Sequence, residues 1–404
     1  MFRKLVPLVS LLLLAGLPVL AKRATDTAAV SADTTARQAP GSGLRISLVT
    51  CGVGEELYAS FGHTALRVID SVAGTDTAFN YGTFEFGDPD FYPKFVRGKL
   101  LYYVNAEDYR SFISTYIYER RSIEEQVLLL STEQKMKMYE FLQYNALPEN
   151  KYYKYDFLFD NCATRIRDVF PKSLGEGFKF GHAIAADSKL TYRNIIDHYL
   201  RNKHWERFGI DLALGSPIDS VMTNEGTMFL PDYLRDGIGK ATYKGKPVTG
   251  PVKQILPGSE ESEGGLNGPL VLTSVIALLT ILGLTVPRLR ILGKIMSSIL
   301  LFITGLLGVF FLFMWFGTDH QSCQNNYNVL WALPTNGLLV FWKPKGIAKY
   351  SLVAIALIIV SLVLHVLGIQ GLPLLELGPI LLSLVFIFGM IYKKNKVVTS
   401  AVIK

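Results

Sequence analysis

The chain has 404 residues, 50% of them hydrophobic, with three cysteines and a formal net charge of +7. Residues 22–268 carry 29 Lys/Arg against 32 Asp/Glu, so the positive excess lies in the first 21 residues and after residue 268. That placement excludes a basic phosphate-binding face, and a nucleic-acid partner with it; it is the charge pattern of membrane topology.

The opening stretch MFRKLVPLVSLLLLAGLPVLA sets Arg3 and Lys4 before a leucine-rich run and closes on Val19-x-Ala21. This is the three-part pattern of a secretory signal peptide over residues 1–21, with cleavage expected after Ala21. Residues 22–43 are small and polar and read as a flexible linker. A mixed domain follows over 44–260. LRISLVT and HTALRVID alternate as strands do, and TAFNYGTFEF is rich in aromatics and threonine. Ser131 followed by Gln134 predicts a capped helix over STEQKMKMYEFLQYNAL. YRNIIDHYLRNKHWERFG predicts one amphipathic helix stopping at Gly209. The Pro, Gly, Ser and Glu of 245–268 read as a tether, whose last part, 261–268, leads into apolar sequence.

Four segments, 269–287, 295–316, 350–368 and 372–392, are apolar and long enough to span a bilayer. A fifth, 328–342, is shorter and interrupted by Pro334, Thr335 and Asn336. Lys/Arg residues cluster at 288–294, 343–349 and 393–396, whereas the loops at 317–327 and 369–371 have none. Every basic cluster falls on the cytoplasmic side only if the fifth segment also crosses. The expectation is therefore five helices over 269–392, the third broken or tilted, and a cytoplasmic tail over 393–404.

The chemistry-bearing stretch is FLFDNCATRIRDVF. Cys162 opens a predicted helix, where unpaired N–H groups and the helix dipole favour thiolate over thiol. Asp160 and Asn161 read as the cap of that helix. A cysteine nucleophile needs a base. His182, His198 and His204 sit in polar surface contexts, His320 in an external loop and His365 in an apolar segment. His63 stands at the entry to a strand, after a glycine. The competing reading is a disulfide between Cys51 and Cys162, with Cys323 odd. Cysteines and histidines lack paired ligand spacing, so neither a metal nor a cofactor is expected.

A histidine on a strand, a polar residue on the next strand, and NC opening a helix resemble the circularly permuted papain-like (NlpC/P60-type) thiol enzymes. The stretches SFGHTALRV, FNYGTFEF, DNCATRIRD, WERFGIDLALG and MFLPDYL resemble the Lnb family over about residues 44–400. The resemblance implies an α+β fold class, with a permuted papain-like periplasmic domain followed by an all-α five-helix transmembrane domain in a bacterial inner membrane. It implies a lipoprotein N-acyltransferase, with a phospholipid acyl donor and a lipoprotein diacylglyceryl-cysteine as acceptor. On this resemblance Cys162 is the nucleophile and His63 the general base. Asn80 is the candidate third residue, with Tyr81 and Glu85 as alternatives because strand alternation cannot be phased. Arg165 and Arg167 could meet a phosphate headgroup, or form salt bridges with Asp160 and Asp168. A membrane-tethered peptidoglycan amidase or cysteine peptidase is the rival enzyme, and a non-catalytic envelope scaffold is the rival of another class. Asn328, Thr335, Asn336, His365 and Glu376, polar residues in the apolar region, fit a lipid-access groove or a transport path.

Overall fold

A computed structural model describes residues 41–402 apart from 42, 86, 88, 260–263 and 343. The expected signal peptide, its cleavage after Ala21, nearly all of the linker 22–43, residues 261–263 of the tether and Lys404 lie outside the described residues, as do the tail side chains from Lys396 on.

The chain alternates strands and helices through its first half: β1 (Leu44–Cys51), β2 (His63–Asp70), β3 (Thr75–Thr83), α1 (Phe91–Val96), β4 (Leu101–Asp108), α2 (Tyr109–Tyr118), β5 (Ile123–Val127), α3 (Thr132–Asn145), β6 (Tyr152–Lys154) and α4 (Cys162–Leu174). Then come β7 (Phe178–Lys179), α5 (Tyr192–Tyr199), α6 (His204–Ala213), α7 (Asn224–Thr227), α8 (Pro231–Gly239), β8 (Thr242–Tyr243), β9 (Lys246–Pro247) and β10 (Lys253–Leu256). Seven strands form one antiparallel sheet in the order β10-β5-β1-β2-β3-β4-β6, while β7, β8 and β9 form a small second sheet.

Strand alternation gives the large sheet two buried faces. Ile46, Leu48, Leu66, Val68, Phe79, Tyr81 and Val104 point toward α3 and α4, where Met138, Leu142, Ile166 and Phe170 complete the main core. Val49, Cys51, Ala65 and Ala78 point the other way, under Tyr109, Phe112 and Tyr116 of α2. Each fully buried aliphatic or aromatic side chain contributes about 2 kcal/mol, so both layers are needed to hold the sheet. The α3 cap forms as its sequence implies: Ser131 Oγ accepts from Gln134 N–H and the Gln134 side chain accepts from Ser131 N–H.

Two expectations change. The single helix stopping at Gly209 is two helices, α5 and α6, separated at 200–203, and Gly209 lies inside α6. A fresh start at His204 turns the amphipathic face, so that Leu212 joins the apolar core of the helical half, whereas Ile195 and Ile196 stay in the first half's own core. The stretch 245–256 is no tether. It supplies β9 and β10, and β10 covers the exposed edge of β5.

The second half contains α9 (Gly268–Thr285), α10 (Arg290–Phe316), α11 (Leu338–Phe341), α12 (Ile347–Val366) and α13 (Leu374–Val402). Among the described residues four helical stretches are long and apolar enough to cross a membrane: 268–285, 287–316, 347–366 and 374–395. The interrupted segment is not one helix. It consists of tight single turns at Tyr327–Leu330 and Pro334–Asn336, then α11. Pro334 removes a donor, which is why a continuous helix fails there. The segment nevertheless runs antiparallel along α10. Trp331 stands edge-on to Phe311 at 6.0 Å, Ala332 and Pro334 lie against Gly308, Gly337 against Gly305, and Phe341 against Phe302 at 6.2 Å. Residues 302–311 of α10 rise about 14 Å at 1.5 Å per residue. Its polar atoms are satisfied internally: Tyr350 Oη donates to Asn336 Oδ1 at 2.7 Å and lies 2.8 Å from Thr335 Oγ1.

The two halves are locked together by buried polar contacts. Arg207 of α6 pairs with Glu376 of α13, and Asn267 donates to the same carboxylate at 2.9 Å. Asn326 and Asn328, both fully buried, donate to the Leu212 carbonyl at 2.8 and 3.0 Å. His365 Nδ1 accepts from Leu372 N–H. Asn328 and Glu376 therefore serve the junction between the halves, while Thr335, Asn336 and His365 satisfy irregular backbone and neighbouring hydroxyls. Beside the junction Arg193 is fully engaged, donating to Asp211 Oδ1 at 2.8 Å and to Asp219 Oδ1 and Oδ2 at 2.8 and 3.0 Å.

Candidate active site

The site is built where β2 begins and β3 ends. Gly62 adopts φ +74°, and a side chain there would meet the Cys51 carbonyl at 2.8 Å; this tight entry sets His63 as the first residue of β2. By alternation His63 shares the α2 face with Ala65, and its ring lies stacked near Tyr116 at 6.4 Å. Asn80 lies on the same face of β3. Its side-chain oxygen is 2.7 Å from His63 Nε2, and its amide nitrogen donates to Glu107 Oε1 at 3.0 Å.

That relay fixes the histidine tautomer. A carboxylate can only accept, so Glu107 dictates which end of the Asn80 amide faces it. The Asn80 oxygen then has to accept from His63 Nε2–H, and the lone pair of the neutral ring is on Nδ1.

Cys162 reaches this point from α4. Asn161 caps the helix: its side chain accepts from Thr164 N–H at 2.9 Å, and its N–H donates to Thr164 Oγ1 at 2.8 Å. Asn161 Nδ2 also donates to the carbonyls of Phe157 and Phe229, at 2.7 and 2.9 Å, anchoring the first turn from both sides. Between thiol and imidazole stands Gly82, at φ +91° in a bulge of β3. A Cβ there would lie 3.5 Å from Cys162 Cβ, 3.9 Å from His63 Cε1 and 3.9 Å from Tyr155 Cε2. Gly82 thus leaves room for the two groups to face one another.

Electrostatics differ from the expectation of a thiolate. The backbone N–H groups of Thr64, Ala163 and Cys162 itself, with the Arg121 charge, favour the anion. Burial outweighs them and pushes the thiol up to about 11. Burial likewise pushes His63 down to about 4, against the support of Asn80. The resting pair is a neutral thiol and a neutral imidazole. Alkylation of Cys162 by a small electrophile, followed by peptide mass analysis, should be slow at pH 7 and rise steadily toward pH 10. A rate already at its plateau at pH 6 would mean a preformed ion pair. The same shift couples to stability. The unfolded ring binds protons below its ordinary 6.5 and the folded ring resists them to about 4, so stability is full above pH 6.5 and falls between the two values.

The remaining expected residues fall into place separately. Asp160 is not the cap; it forms a two-point ion pair with Arg165, whose guanidinium lies 4.0 Å over the Tyr153 ring. Arg167 pairs with Asp168 at 2.8 Å and donates to the Glu225 carbonyl at 3.2 Å. Both guanidiniums are thus held in the salt bridges that were the alternative to headgroup binding. Tyr81 belongs to the opposite face, in the main core, and Glu85 follows the strand end. Cys51, Cys162 and Cys323 are all free and buried, so the Cys51–Cys162 disulfide is absent. Among the described residues no cluster of His, Cys, Asp and Glu is arranged to hold a metal ion.

Two neighbours escaped sequence reasoning. Glu107 has no local signal, because only the pairing of β3 with β4 brings it beside Asn80. Arg121 is buried, donating to the Gly52 carbonyl at 2.8 Å and to Glu119 at 3.0 Å, with its guanidinium over Tyr116. Its Nη2 is buried without a partner among the described residues, and its charge opposes protonation of His63. The arrangement thus brings a buried thiol, an oriented imidazole and backbone N–H groups to one point of the fold.

Two family models match the chain. One, described as the Lnb N-terminal periplasmic domain, covers residues 31–198, and the other, described as the Lnb transmembrane domain, covers 261–396. Together they span about three quarters of the sequence. No curated protein and no solved structure matches it.

Proposed function

Because the chain belongs to the Lnb family, carrying a periplasmic domain followed by a transmembrane domain, we propose that it is a lipoprotein N-acyltransferase working by way of a Cys162 thioester. The observation that carries this reading is the convergence of Cys162 and His63 on Gly82, with Asn80 and Glu107 fixing the ring's lone pair on Nδ1.

His63 Nδ1 takes the Cys162 thiol proton as the sulfur attacks an ester carbonyl of a membrane phospholipid. Transfer and attack are concerted, since the separated ions are disfavoured by burial. The N–H groups that favour the anion, those of Thr64, Ala163 and Cys162 itself, are the candidate donors to the oxyanion. Collapse expels the lysophospholipid alkoxide, which regains its proton from His63. The thioester is then attacked by the neutral α-amine of a lipoprotein's diacylglyceryl-cysteine; His63 accepts the amine proton and returns it to the departing thiolate. Water has to be kept from the thioester, and the burial of Cys162 supports that. A permuted papain-like arrangement and an inner-membrane location belong to the same reading.

Mass analysis of lipoprotein N-termini tests it. Cells whose sole copy is wild type should add one acyl chain to the terminal cysteine, and cells carrying Cys162→Ala should not. A change in peptidoglycan fragments with unaltered lipoprotein N-termini would point to the amidase instead. Cys51→Ser should retain most transfer, because Cys51 is unpaired and packs under α2. Loss of transfer in that variant would give Cys51 a part in the chemistry.

We further propose five crossings, with 328–342 as the broken third. The antiparallel run of this segment along α10, and the contacts of the 317–327 loop with the N-terminal half, support it. A cysteine at Asp319 should react with an impermeant reagent in intact cells after outer-membrane permeabilisation, and one at Lys345 should not. Reaction at position 345 would reduce the count to four.

A further inference from the structure

The helix α1 has only six residues yet exposes three large apolar side chains: Tyr92 is 63% exposed, Phe95 50% and Val96 44%. Such density on a water-facing surface marks a contact. The position of α1 says with what. The Asp319 N–H donates to the Arg97 carbonyl at 2.9 Å, and His320 Nε2 lies 3.1 Å from the Phe95 carbonyl and 3.2 Å from that of Val96. Lys154 adds an ion pair to Asp319 at 3.2 Å. Asp319 and His320 lie three and four residues past the end of α10 at Phe316, itself 73% exposed, and α10 is long and apolar enough to cross a membrane. The end of α1 is thus tied to the level at which α10 leaves the hydrocarbon. Aromatic side chains favour that level, and the exposed Arg97 and Lys99 beside them suit lipid phosphates.

From α1 an unbroken series of rings leads inward. Phe95 stacks on Phe91 at 6.2 Å, Phe91 meets Phe84 at 5.7 Å, Phe84 meets Tyr102 at 5.1 Å, and Tyr102 stacks on Tyr155 at 4.2 Å. Tyr155 is the ring that lines the Gly82 gap beside Cys162.

We propose that Tyr92, Phe95 and Val96 enter the headgroup–acyl boundary of the bilayer that α10 crosses, and that α1 is the landing surface from which a lipid ester passes along these rings to Cys162. The landing surface stands on geometry alone; the passage rests on the acyl-transfer reading. Both can be tested on the full chain in phosphatidylcholine–phosphatidylglycerol nanodiscs. With the native cysteines replaced by serine, a nitroxide at Phe95→Cys should be more accessible to oxygen than to a nickel chelate. A nitroxide at Val72→Cys, 65% exposed in the β2–β3 turn at the far end of those strands, should show the reverse. Equal chelate access at both positions would overturn the landing surface. For the passage, acyl-thioester formation is compared between vesicle-embedded phospholipid and a water-soluble short-chain ester. The Tyr92→Ser/Phe95→Ser variant should lower the ratio of the two rates about tenfold, a change of roughly 1.4 kcal/mol in relative barrier; an unchanged ratio would overturn the passage. If wild type forms a thioester with neither donor, the acyl-transfer reading fails, while the nitroxide comparison still decides where α1 lies.

Discussion

Cys162→Ala and His63→Ala are each expected to remove nearly all acyl transfer, and the double variant to be scarcely worse than either. Groups that act as one unit are not additive: without the thiol the base has nothing to deprotonate, and without the base a thiol pushed up to about 11 has no route to its anion. The loss on removing the base alone should be on the order of 10³-fold, within the range of general-base catalysis. Cys162→Ser should fail as well, since a buried hydroxyl ionises less readily than a buried thiol. The singles differ in one intermediate. With donor lipid and no acceptor, wild type should accumulate a hydroxylamine-sensitive acyl group on Cys162, and His63→Ala should form it slowly or not at all. Ordinary lipoprotein acylation in cells whose only copy is Cys162→Ala would return Cys162 to the role of a helix-opening filler.

The largest effect on stability is expected from Arg193→Met. Arg193 is 5% exposed and is the cation between two buried carboxylates, Asp211 and Asp219. Burial and the neighbouring Asp211 raise the Asp197 carboxyl above its ordinary range, so the region already disfavours negative charge. Removing the guanidinium leaves Asp219 without its paired cation and Asp211 with only the more distant Arg207 charge, and should cost about 3–5 kcal/mol. Arg193→Lys keeps the charge but lacks the fork that reaches both partners, so it should recover only part of the loss. Adding Asp219→Asn to Arg193→Met should recover some stability by removing one orphaned charge. Thermal unfolding of the detergent-solubilised chain measures the series. A melting temperature for Arg193→Met within a degree of wild type would show that the cluster contributes nothing net.

What could be read in advance divides by the distance over which the cause acts. The Asn161–Thr164 and Ser131–Gln134 caps are decided within four residues, and the apolar spans by composition, so both are legible in a linear string. The pairing of Glu107 with Asn80 depends on the register between β3 and β4, and the Arg207–Glu376 lock joins positions 169 apart. Nothing local marks either. The protonation of Cys162 misleads for the same reason. Helix-terminus donors are visible in DNCAT and do favour the anion, but burial, a property of the whole fold, decides the outcome. The split of α5 from α6 and the recruitment of β10 into the sheet are likewise settled by packing partners.

On the acyl-transfer reading proposed above, the polar lock between the halves also sets the terms of the kinetics. With Arg207, Asn326 and Asn328 holding α6 against the apolar helical half, the domain that carries the thiol would be mounted at a fixed height over the bilayer those helices cross. A catalyst so mounted samples a two-dimensional solution. Its working concentration is the mole fraction of donor in the surrounding leaflet, unaffected by dilution of the suspension. Inert lipid then acts as the diluent, and saturation is reached at a surface density.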